Sequence, residues 1–116
     1  MRLMGRTQRF VIDDYRAFAL IGFEANETGV IARHFRIFLK PYEQRLDKEI
    51  KSHCISITRN LEDGHSFDDI AEDLTKESIV GAVVHYIKSN LVEIIANVQT
   101  DKTVKLNTDP YRKIKW

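Results

Sequence analysis

The chain has one cysteine, two prolines and five glycines among its 116 residues, and its longest wholly apolar run is AFALIGF, residues 17 to 23. Each scarcity excludes a class. A single thiol, Cys54, rules out an internal disulfide framework and fits a reducing compartment. The glycines, at 5, 22, 29, 64 and 81, never cluster, so no phosphate-cradling loop is present. The apolar run falls far below the roughly twenty residues that a bilayer requires. The basic start MRLMGR leads into FVI and then at once into Asp13-Asp14, which is not a secretory pattern. A cytoplasmic protein is expected.

What is present describes one small globular domain. Hydrophobic residues make up 43% and charged residues 30%, enough for a single modest core. The net charge of +1 conceals a segregated pattern. Residues 1–12 carry three arginines and no acid, and residues 31–60 carry an excess of four basic side chains. Residues 61–80 hold Glu62, Asp63, Asp68, Asp69, Glu72, Asp73 and Glu77 against Lys76 alone. The C-terminal stretch, 101–116, is basic again. Such a chain reads as opposite patches that associate, or as a basic surface for nucleic acid with an acidic back.

Asn26-Glu27-Thr28-Gly29 decides the organisation. A helix through this stretch would enclose Pro41, which costs about 3 kcal/mol in a helix interior. As strands, Tyr15, Ala17, Ala19, Ile21 and Phe23 share one face, and Ile31, Phe35, Ile37 and Leu39 share another, with Arg33 the exception. Asparagine opens a turn through its side chain and glycine closes it in the left-handed region. The spacing therefore predicts a β-hairpin over about 15–39. Phe18, Leu20 and Phe38 fall on the opposite face, so both sides of the sheet need cover, from helices or a partner chain.

The remainder reads as three helices and a second hairpin. Tyr42, Leu46, Ile50, Cys54, Ile57 and Leu61 form one stripe, predicting a helix over 41–61 with Pro41 in its first turn. Ser66 caps a short helix over 67–74, and Thr75 opens another over 76–89. Residues 91–106 then read as a C-terminal hairpin turning at Gln99–Lys102, although LVEIIANV also fits a helical stripe. Residues 1–8 read as a flexible basic arm with an edge strand at Arg9–Ile12, residues 9–107 as one α+β domain, and 108–116 as a basic aromatic tail.

The order of elements after residue 42 is that of a helix-turn-helix with a wing. In that arrangement Lys76, Ser78, His85 and Lys88 would face a duplex, and Lys102, Lys105, Arg112 and Lys113 would meet phosphates. The acidic segment beside this helix opposes the reading. Phe18, Leu20, Phe38 and Trp116 are the candidate protein-contact surface. Arg59-Asn60 followed by His65 resembles the Arg-Asn…His motif of a family of small helical RNases, which implies phosphate polarisation and proton transfer by Arg59 and His65. That resemblance covers three residues. No histidine pair has metal-ligand spacing, and Cys54 lies on the apolar stripe as a small buried hydrophobe. The expected role is a non-catalytic regulatory or accessory protein acting through protein contacts, including self-association. It needs no cofactor or metal. A nucleic-acid-binding regulator is the alternative, and the RNase a remote third.

Overall fold

A computed structural model describes residues 2–97 and 102–108. The turn at 26–29 forms as its chemistry dictates. Asn26 Oδ1 accepts hydrogen bonds from the Thr28 N–H and hydroxyl, and Gly29 takes a φ of +140°. The strands on either side, β2 (Tyr15–Asn26) and β3 (Gly29–Lys40), pair antiparallel.

Residues 2–8 are not a free arm. They belong to strand β1 (Arg2–Ile12), which pairs with β2 along its length through a turn where Asp13 holds a φ of +52°. Aspartate is one of the few side chains that tolerate that conformation. Nor is β1 an edge. A short strand β4 (Thr103–Leu106) pairs parallel to it on the far side, giving the sheet order β3-β2-β1-β4. Gln8 locks this junction. It is 1% exposed, and its amide donates to the carbonyls of Arg9 and Lys102. Asp13 clamps the other end, its carboxylate accepting from the Thr108 N–H and hydroxyl.

The C-terminal hairpin is therefore a correction. Its first arm is a helix, α4 (Leu91–Ile95), and its second arm joins β1 instead of doubling back. The helical stripe of Leu91, Ile94 and Ile95 prevails there. The Arg6 guanidinium fixes the helix end by donating from Nε and Nη2 to the Ile95 carbonyl. The winged-helix order falls with the hairpin.

The remaining helices are α1 (Gln44–Glu62), α2 (Phe67–Glu72) and α3 (Ile79–Ser89). Helix α1 begins three residues beyond Pro41, which follows a cis peptide, and Tyr42 is exposed instead of opening the stripe. Ser66 caps α2 in a full capping box with Asp69. Helix α3 starts later than the sequence suggested because Ser78, not Thr75, is its cap: Ser78 Oγ accepts from the Gly81 N–H at 2.9 Å. Gly81 is obligatory here, since a Cβ would stand 1.7 Å from the Thr75 carbonyl oxygen. No helix among the described residues is long and apolar enough to cross a membrane.

All the helices pack on one side of the sheet, where Phe10, Ile12, Ala19, Ile21, Phe23, Phe35 and Ile37 meet Ile50, Ile57, Leu61, Phe67, Val83, Val84 and Ile87. Helix α1 also seals the β3 edge. Thr58 Oγ1 accepts from the Phe35 N–H and donates to the Phe35 carbonyl, each at 3.1 Å. One turn earlier the buried Cys54 thiol faces the Ile37 main chain. Four helical residues advance about 6 Å and two strand residues about 6.6 Å, so i,i+4 on the helix matches i,i+2 on the strand. Arg33 continues the seam by donating to the carbonyls of Leu61 and Glu62. Its irregular position has a cause: Gly22 pairs with His34 and Phe23 with Ala32, so Arg33 is the extra residue of a β-bulge. The bulge flips the alternation, and Ile31 points outward, against expectation.

Replacing Thr58 by valine keeps the shape and leaves both polar groups of Phe35 unpaired. Urea denaturation of Thr58→Val is expected to show a loss of about 2 kcal/mol, with Thr58→Ser losing clearly less.

Candidate functional site

Helices cover one face of the sheet; among the described residues nothing covers the other. That open face is ordered by strand register into rows. The first row across the sheet is Lys40, Arg16, Val11 and Lys105, and the second is Phe38, Phe18, Arg9 and Thr103. A third row holds Arg36, Leu20 and Thr7, and a fourth His34, Gly22 and Gly5. The last is Ile31, Glu24 and Leu3.

Phe18 and Phe38 are stacked, with centroids 4.9 Å apart and planes 24° from parallel, yet they remain 40% and 37% exposed. The Arg36 guanidinium lies 5.0 Å from the Phe38 centroid, in cation–π range. Beside the pair runs a trough of about 600 Å³ lined by Thr7, Arg9, Arg16, Phe18, Phe38, Lys40 and Thr103. The ion pairs among the described residues are Arg33–Glu24 and His65–Asp69, so no carboxylate bridges Arg9, Arg16, Arg36, Lys40 or Lys105.

This arrangement costs the fold stability. Arg16 and Lys40 are direct cross-strand neighbours, and like charges so placed repel. Gly5 sits within a strand, where glycine is less favourable than alanine by roughly 0.5–1 kcal/mol. Gly22 has a packing reason, since a Cβ there would stand 3.0 Å from the His34 Cβ. Gly5 has none, because a Cβ would meet nothing within 4 Å. Local choices that oppose folding concentrate at surfaces used for something else.

The residues singled out from sequence divide sharply. Phe18, Leu20 and Phe38 do come together on the open face. The set assigned to a duplex does not converge. Ser78 is occupied as a helix cap, His85 Nε2 lies 2.8 Å from the Leu74 carbonyl, and Lys76 is in the loop before α3. Lys88 is on α3 in the helical layer, whereas Lys105 points outward on the sheet face. Lys102 precedes β4 and holds Gln8 through its carbonyl. Arg112, Lys113 and Trp116 lie outside the described residues, as do positions 99–101 of the expected wing tip.

Arg59 is exposed in the last turn of α1. His65 lies past Gly64, its Nδ1 3.9 Å from an Asp69 carboxylate oxygen. The described residues hold no cluster of three metal-ligating side chains.

Sequence reasoning missed Arg9, Arg16, Arg36 and Lys40 as a group. The signal for three of them was available, because Arg16, Arg36 and Lys40 share the even-numbered parity of Phe18, Leu20 and Phe38. Arg9 needed the register of β1. Comparison with protein-family models, with curated proteins and with solved structures gives no match.

Cys54 is not part of this surface. Burial pushes its thiol up from 9.0 to about 11. The protonated thiol is favoured in the folded state, so its contribution to stability is complete below pH 9 and is lost as pH rises through about 11. A thiol reagent at pH 8 is expected to leave Cys54 unmodified in native protein and to label it fully in denaturant; rapid native labelling would contradict the buried seam.

Proposed function

We propose that this protein is a non-catalytic cytoplasmic binding module whose working surface is the open sheet face and whose partner is polyanionic. One observation carries the reading: five cations that no carboxylate among the described residues bridges surround an exposed, stacked aromatic pair on a face that no described element covers. Charges of one sign gathered on a flat surface raise the local concentration of an opposite polymer and speed its encounter. Self-association through Phe18, Leu20 and Phe38 fits less well. Two copies meeting through this patch would gather both sets of five cations in one interface, and like charges brought together there cost several kcal/mol. An acidic stretch on α2 and its flanks lies in the helical layer, away from the partner.

Heparin serves as the test polyanion. The protein is expected to be retained on immobilised heparin at low salt and released as salt rises. Arg16→Glu and Arg36→Glu should each elute at clearly lower salt, while Lys76→Glu and Lys88→Glu should elute with the wild type. Failure of the wild type to bind at low salt would overturn the proposal.

A further inference from the structure

We infer that the polyanion is a single-stranded nucleic acid whose bases stack on the Phe18–Phe38 shelf. This rests on the open face being the working surface, and it adds what charge alone does not specify. Charge alone can hold a sulfated sugar or an acidic peptide. A nucleic-acid base does, because every base offers a π-face and stacking on an aromatic side chain is independent of sequence. The two rings here are stacked on each other near the centre of the sheet, and the Arg36 guanidinium lies over Phe38. Phe38 therefore backs the shelf, and the face of Phe18 turned away from Phe38 is the one offered to a base. Arg9 flanks them in their own row, and Arg16 and Lys40 follow in the next, placed for phosphates.

Access to the base faces separates a single strand from a duplex. In a duplex the base faces are covered by their neighbours, so Phe18 and Phe38 would have nothing to stack on.

Gly5 supplies an independent observation. Its backbone dihedrals are not in the left-handed region and its Cβ position is open space, so neither conformation nor packing requires glycine. Glycine within a strand marks a bulge, a bend or a close approach to the main chain. Strand β1 pairs with β2 through Gly5 without a register shift, which favours the close approach. With Gly22 beside it, Gly5 leaves a bare strip of backbone next to the Leu20 and Thr7 row, along which an extended strand can lie.

Fluorescence anisotropy on the full chain tests this with labelled oligo(dT), oligo(rU) and a mixed-sequence duplex, each of about twelve units, within the usual site sizes of such surfaces. One of the single strands is expected to bind about tenfold or more tightly than the duplex, and the dT and rU arms report which sugar is preferred. Phe18→Ala and Phe38→Ala should each weaken single-strand binding about fivefold or more, and by clearly more than they weaken heparin retention. Gly5→Val should weaken it too, while its melting temperature stays level or rises, which excludes misfolding as the cause. Equal affinity for duplex and single strand, or wild-type binding by both phenylalanine variants, would overturn the inference and leave the polyanion surface standing. Absence of binding to heparin and oligonucleotides alike would remove both.

Discussion

A single hydroxyl sets the arrangement of this molecule. Thr58 Oγ1 satisfies both the N–H and the carbonyl of Phe35, and with Arg33 on the end of α1 it zips a helix along a strand edge. An unpaired edge is a template for another strand, and proteins cover it or blunt it. Here the covering element is a nineteen-residue helix whose buried residues, Ile50, Cys54, Ile57 and Leu61, also face the sheet. Sealing the edge and covering the inner face thus become one act. The outer face is left over, and a partner cannot add a strand beside Phe35 and Ile37.

That leftover face carries choices that stability alone would not select. Two phenylalanines stay about two-fifths exposed where polar residues would serve solubility better. Cationic side chains sit opposite one another across β2 and β3, and a glycine occupies β1 without a steric reason. Each is a small cost. Their coincidence on one surface, with the inner face packed from Phe10 to Ile37, is the physical basis for placing function there.

Local chemistry was legible in the sequence. The Asn26–Gly29 turn, the Ser66 cap and the Ile50–Leu61 stripe all follow from interactions within a few residues of each other, and all are present. Long-range pairing was not. Strand β4 joins β1 across more than ninety residues, and nothing near Thr103 signals a parallel partner at Arg9. The same non-local contact turned an expected arm and edge strand into an interior strand. At Arg33 the sequence did carry a sign, since its break in alternation is the bulge itself. Ser78 and Thr75 are equally good caps on paper, and the close approach of the Thr75 carbonyl to Gly81 selects Ser78. The site was half visible: the aromatic residues stood out, Arg16, Arg36 and Lys40 shared their parity, and Arg9 joined them only once β1 was aligned with β2.

Amide chemical-shift mapping during titration with a short single-stranded oligonucleotide tests this account most directly. Shifts are expected to concentrate on the outward rows at Thr7, Arg9, Arg16, Phe18, Leu20, Arg36, Phe38 and Lys40, with α3 silent. Shifts gathered instead at Lys76, His85 and Lys88 would place the contact on the helical layer and contradict the account.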